Sequence, residues 1–182
     1  DEKTLVQAKA ISKLSELDGP KYKDLYEASL SSNSVAVKSS GIMALYEVDS
    51  LAAIQFVTSI KDELEKESMK DALIPMYIKN QYEDEISFVA GNLFMGMFFT
   101  NDKEKQNVYK EGFQWVVSSS NEEATQSLVN SFVQIGIQYK QYGADTLSKQ
   151  VLQQVLEVKK QSEFENKDSL IAIVTDGIER LN

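Results

Sequence analysis

Three adjacent carboxylates, Glu83, Asp84 and Glu85, form the densest acidic group beside an apolar segment and are the first candidates for chemistry. As metal ligands they would need further oxygens from elsewhere at fixed geometry, and consecutive helical positions point in different directions. At a helix start they have a simpler use, because first-turn carboxylates meet free N–H groups and the positive end of the helix dipole. The aromatic series Phe88, Phe94, Phe98, Phe99, Tyr109, Phe113 and Trp115 could line a ligand pocket, although core packing is the ordinary use of such a series. Among Tyr22, Tyr26, Tyr46, Tyr77, Tyr82, Tyr139 and Tyr142, a phenol could donate to a substrate oxyanion. No partner base is identifiable for any of them. Lys159 and Lys160 make too small a basic pair for an anion site, and Lys61, Glu63, Glu65 and Lys66 read as a solvated helix face. No Gly-rich phosphate loop occurs, and no Ser is flanked as a nucleophile elbow requires. The run Lys61–Leu64 is internal and is therefore no retention signal.

Composition removes most other chemistry. There is no Cys and no His, which takes away disulfides, thiolate nucleophiles, imidazole bases and the two commonest zinc ligands together. Ser, Tyr, Lys, Asp and Glu remain, all common on helical surfaces, so no catalytic, cofactor-binding or metal-ligating residue is assigned. A formal charge of −9 argues against a nucleic-acid partner, since phosphate binding needs clustered Lys and Arg. Arg180 is the single arginine. The missing cysteines fit reducing and oxidising compartments equally. The chain opens Asp-Glu-Lys-Thr without Met or an apolar signal segment, which suggests a processed chain or a piece of a longer one.

The elements that would position these residues are helices. With two Pro and eight Gly in 182 residues, turn-rich sheets have little support, and apolar residues recur at spacings of three and four. From Ile86 to Phe99 nearly every position is apolar or small, so Glu83–Thr100 reads as the central buried helix, too short for membrane insertion. Gly91 and Gly96 would let neighbouring helices approach it closely. Before it, helices are expected over 2–17 (stripe Val6, Ala10, Leu14, Leu17), 22–30, 35–48, 50–66 (Leu51, Ile54, Val57, Ile60, Leu64) and 68–79, the last bent by Pro75. Asp18-Gly19-Pro20 ends the first, with Gly19 supplying a left-handed residue. After it, helices are expected to Val117, Tyr142 and Lys160 and over 168–181. Ser120 with Glu123, and the run Asn101–Glu104, offer caps. The stripe Leu147, Val151, Val155 and Val158 marks the penultimate helix.

The first, third and fifth helices begin near residues 2, 34 and 67, a pitch of roughly 32 residues, within the range of helical-pair repeats. Stacked helical hairpins share one apolar seam. The expected fold is all-α, a right-handed α-α superhelix of HEAT- or armadillo-like kind with about ten helices in a single domain over 1–182.

The stretch Gly19-Pro20-Lys21-Tyr22-Lys23-Asp24-Leu25-Tyr26-Glu27-Ala28-Ser29-Leu30, followed by Ser32-Asn33-Ser34-Val35-Ala36-Val37-Lys38 with Gly41, Ala44 and Leu45, resembles the C-terminal helical domain of bacterial aminopeptidase N-like zinc peptidases. So does Ile74-Pro75-Met76-Tyr77-Ile78 with the apolar helix after it. The resemblance covers most of the chain and rests on HEAT-like spacing. It implies a parent enzyme that removes N-terminal amino acids from peptides, with a zinc-binding HExxH helix and a downstream Glu on a separate catalytic domain. This chain, having no His, would carry none of the zinc ligands. It would pack on that domain and cover the cleft, where a peptide substrate can reach its concave wall. Arg180 matches no substrate-reading residue of the family. The same resemblance implies a periplasmic or secreted setting. The alternative is a freestanding helical-repeat module that binds a peptide or partner helix in its groove.

Overall fold

The computed structural model describes residues 2–60 and 62–182, with Glu63 described by its backbone alone. Among the described residues there are helices and turns and no strand, so the fold class is all-α and solenoid-like. Two compact units occur, Asp1–Met76 and Tyr77–Asn182. Each is described by itself.

The first unit holds α1 (Glu2–Asp18), α2 (Lys23–Ser29), α3 (Val35–Val48), α4 (Ser50–Ser59), α5 (Glu63–Ser68) and the start of α6 (Lys70–Asn80). Helix α3 packs against α1, α2 and α4, burying Val37, Gly41, Ile42, Ala44 and Leu45. Gly41 is required there, because a Cβ would run into the Ser29 hydroxyl and lie 3.2 Å from the Tyr26 carbonyl oxygen.

Several expectations need correction in this unit. The face α1 buries is Ala8 and Ile11, while Val6 and Leu17 are 61% and 79% exposed. The face that docks on α3 is thus rotated away from the most apolar stripe. Gly19 does not adopt a left-handed conformation. It opens a 3-10 turn, Gly19–Tyr22, and a Cβ there would sit 2.9 Å from Val48 Cγ1. The single helix expected over 50–66 is two helices. Ile60 is extended, and Asp62 restarts the helix by accepting from the Glu65 amide at 2.8 Å. Leu51 and Leu64, expected inside, are exposed. Asp49 caps α4, accepting from the Ala52 amide at 3.0 Å.

The second unit holds the end of α6, α7 (Ile86–Phe98), α8 (Lys103–Val117), α9 (Glu122–Gln138), α10 (Ala144–Gln161) and α11 (Lys167–Glu179). From α7 onward neighbours in sequence pack together, and alternate helices also touch, α7 with α9 and α9 with α11. That is the contact pattern of stacked hairpins. The hub is α9, which meets α7, α10 and α11 and buries Leu128, Val129 and Phe132 completely.

Helix α7 is less central than its composition suggests. One face, carrying Ile86, Val89, Ala90, Leu93 and Phe94, is buried, and α8 and α9 pack on the helix. Met95, Phe98 and Phe99 remain exposed. Gly96 is filled by the Tyr109 ring, whereas nothing lies within 4 Å of where a Cβ on Gly91 would be. Only one of the two glycines therefore serves close approach.

Caps and turns set the remaining boundaries. Asp102 accepts from the Glu104 and Lys105 amides. The cap of α9 is Asn121, accepting from the Ala124 amide at 2.8 Å, rather than Ser120. Gly143, at φ 79°, closes the turn after α9 in the left-handed region glycine favours.

Candidate functional site

The aromatic series is divided among three environments. Phe94 and Tyr109 are core, and Phe88 and Phe113 are half-buried. Phe98 and Phe99 stand at the rim of a groove of about 470 Å³, with Phe94 at its base and Tyr139, Tyr142 and Leu147 across from them. The Phe94 ring lies 4.9 Å from both Phe98 and Phe132, centroid to centroid, and Phe99 lies 6.5 Å from Tyr139. Spacings of this size suit aromatic packing. The groove is a firm apolar surface whose outer rim, Phe99 and Tyr142, is 57% and 77% exposed.

Trp115 belongs to a different place. With Glu111 and Gln114 on α8, Ser118 at its C-cap, Ile78 and Lys79 in the last turn of α6, and Gln81 and Glu83 just after it, it lines a cleft of about 620 Å³. The indole Nε1 donates to Glu83 Oε1 at 3.3 Å. The backbone beneath Gln81 is unusual. Its N–H donates to the Ile78 carbonyl, the next amide, Tyr82, reaches back to the Tyr77 carbonyl at 3.0 Å, and Gln81 has φ 46°. This is the Schellman closure of a helix, in which the left-handed residue is usually Gly. A side chain there costs about 1 kcal/mol or more.

The acidic group Glu83, Asp84 and Glu85 forms a 3-10 turn before α7. Glu85 is buried and Glu83 holds the indole, so the three carboxylates have separate surroundings. Among the described residues no group of three or more His, Cys, Asp or Glu is placed to hold a metal ion.

Tyr26 is fully buried, its hydroxyl has no hydrogen-bond partner among the described residues, and burial pushes its phenol above the ordinary value. Tyr77 stacks on Tyr82 and meets Phe88 edge-on.

Two lysines behave differently from the surface reading, Lys66 and Lys159. Lys66 is 7% exposed, and Glu65 forms an ion pair with Lys38, so that face is not simply solvated. Lys61, and the side chain of Glu63, lie outside the described residues. Lys159 is the larger departure, at 1% exposed. Its Nζ donates to the Ser119 carbonyl at 2.7 Å and lies 5.6 Å from the centroid of the Phe164 ring. Burial pushes its ammonium down to about 8. The sequence carried a signal for this: the buried positions Val151, Val155 and Lys159 follow each other at intervals of four. Lys160 is ordinary, paired with Glu157 at 2.9 Å. Arg180 contacts Asn130 at 3.2 Å and Asp176 at 3.5 Å, both exposed.

Among the described residues no helix is long and apolar enough to cross a membrane. No family model matches the chain, and neither a curated protein nor a solved structure matches it.

Proposed function

We propose that this chain is a non-catalytic helical-repeat domain of a zinc-dependent aminopeptidase, packing on the catalytic domain and covering its cleft. The observation that supports this reading is the way the resembling segment is used. Gly19-Pro20-Lys21-Tyr22 forms the turn into α2, Ser32-Asn33-Ser34 forms the break, and Gly41 and Ala44 lie on the buried face of α3. The residues that carry the resemblance are thus those that shape one helical hairpin. The zinc, its HExxH helix and the downstream Glu would all belong to the partner domain, and peptide would be cut there. A composition without His or Cys accords with a supporting role.

The test is the reading frame from which the chain comes, together with two assays. The residues preceding Asp1 are expected to include HExxH and a later Glu, and the joined protein to release amino acids from aminoacyl-nitroanilides in a chelator-sensitive way. The chain alone, given zinc, is expected to turn over nothing. An upstream sequence without the zinc motif, or turnover by the chain alone, would sink the proposal.

A second reading, a freestanding module that holds a peptide or partner helix, is favoured by the groove at Phe98, Phe99 and Tyr142, where apolar side chains face outward. It gains ground if the gene holds no catalytic domain.

A further inference from the structure

Glu111, Gln114 and Trp115 on α8 and Ser118 at its C-cap, still in helical backbone, stand at positions i, i+3, i+4 and i+7, so one face carries all four into the 620 Å³ cleft. The volume is in the range of ligand sites, which run from roughly 300 to 1,000 Å³. None of these four side chains except Trp115 has a hydrogen-bond or ion-pair partner among the described residues, and neither does the side chain of Gln81 opposite. Glu83 spends one oxygen on the indole and keeps the other. The wall is therefore rich in acceptors that the protein itself does not use. Two carboxylates against the ammonium of Lys79 leave one negative charge in excess.

We propose that this cleft binds the guanidinium group of an arginine side chain on a peptide. A guanidinium is a planar cation with five N–H donors and no acceptor, which matches a lining of carboxylate, amide and hydroxyl oxygens. Glu111 takes the group through charge-assisted bonds. Trp115, held in orientation by Glu83, offers the cation an aromatic face. Gln81 supplies an amide from a position where glycine would be easier for the backbone, as occurs where strain is retained for a site. The overall charge of −9 draws cations toward the surface. The proposal is independent of the zinc-peptidase reading, since it concerns this chain's own residues.

Trp115 is the single tryptophan, so fluorescence of the whole chain reports on the cleft directly. N-acetyl-arginine amide is the probe, titrated by fluorescence and by calorimetry at low salt. Saturable binding is expected with Kd on the order of 1 mM, weakened about tenfold by Glu111→Gln. N-acetyl-lysine amide should bind several-fold more weakly and methyl glucoside should not bind. Gln81→Gly is expected to weaken binding while raising the melting temperature, a combination that damage to the fold cannot produce. The proposal is overturned if neither method detects saturable arginine binding, if Glu111→Gln leaves affinity unchanged, or if the lysine probe or the sugar binds as well as arginine amide.

Discussion

Replacing Lys159 by Met changes how stability depends on pH, and the structure fixes the sign. In the folded chain the amine is 1% exposed, and burial moves it from the ordinary 10.5 down to about 8. The unfolded chain keeps the ordinary value, so below pH 8 folding must either bury the ammonium or give up its proton. That cost is fully present at pH 7 and fades as pH rises toward the unfolded value. The difference corresponds to a little over ~3 kcal/mol at pH 7 and a little over ~1 kcal/mol at pH 9.5, a gain of roughly 2 kcal/mol for the native chain over that interval. Lys159→Met has no such titration. Urea unfolding of both proteins at pH 7.0, 8.0, 9.0 and 9.5 should therefore show the native chain gaining on the variant. Subtracting the variant also removes groups that titrate in both proteins, such as Tyr26 and Lys23, whose values are raised. Parallel curves would refute the reasoning. They would mean that the Ser119 carbonyl and the Phe164 ring keep the ammonium charged as readily as water does.

Other substitutions have equally definite expectations. Phe94→Ala, at a side chain 1% exposed, should cost on the order of 3–5 kcal/mol in chemical denaturation; an unchanged midpoint would remove α7 from the core. Gly91→Ala should stabilise by about 1 kcal/mol through helix propensity, because that face is open, while Gly96→Ala should lower the melting temperature by pushing into Tyr109. The same sign for both would contradict the placement of α7. Gln81→Gly should add about 1 kcal/mol by relieving the left-handed backbone. Asn121→Ala should cost about 1 kcal/mol, the ordinary value of an N-cap.

Much of the helix order was legible because caps and breakers are local. Asp49, Asp102 and Gly143 do their work within a few residues, and the third helix runs over Val35–Val48 as the spacing implies. Burial was less legible, since it depends on which face a neighbour covers. In α1 the packing on α3 selects Ala8 and Ile11 and leaves Leu5 and Val6 in water. In α7 an almost continuous apolar run promised full enclosure, yet two neighbours pack on it and Phe98 and Phe99 are left at a rim. Lys159 was hidden for a related reason. A charged residue type says surface, while its register along α10 says interior, and register prevailed because the Ser119 carbonyl could receive the amine. The cleft was legible only in part. The four-residue face of α8 is written in the sequence, but the wall facing it depends on a left-handed turn at Gln81 that nothing in a Lys-Asn-Gln-Tyr run announces.

The link between α8 and α9 is fastened from far along the chain. Lys159 reaches the Ser119 carbonyl across 40 residues, and Asn166 reaches the Ser120 carbonyl across 46. While the polypeptide is being synthesised, those two oxygens lack these donors until the penultimate helix and the start of the last one have emerged. A nascent chain stopped at Gln138 would thus own both strokes of this hairpin without the clasp at its bend, and the bend would close only when the ribosome delivers the last quarter of the sequence.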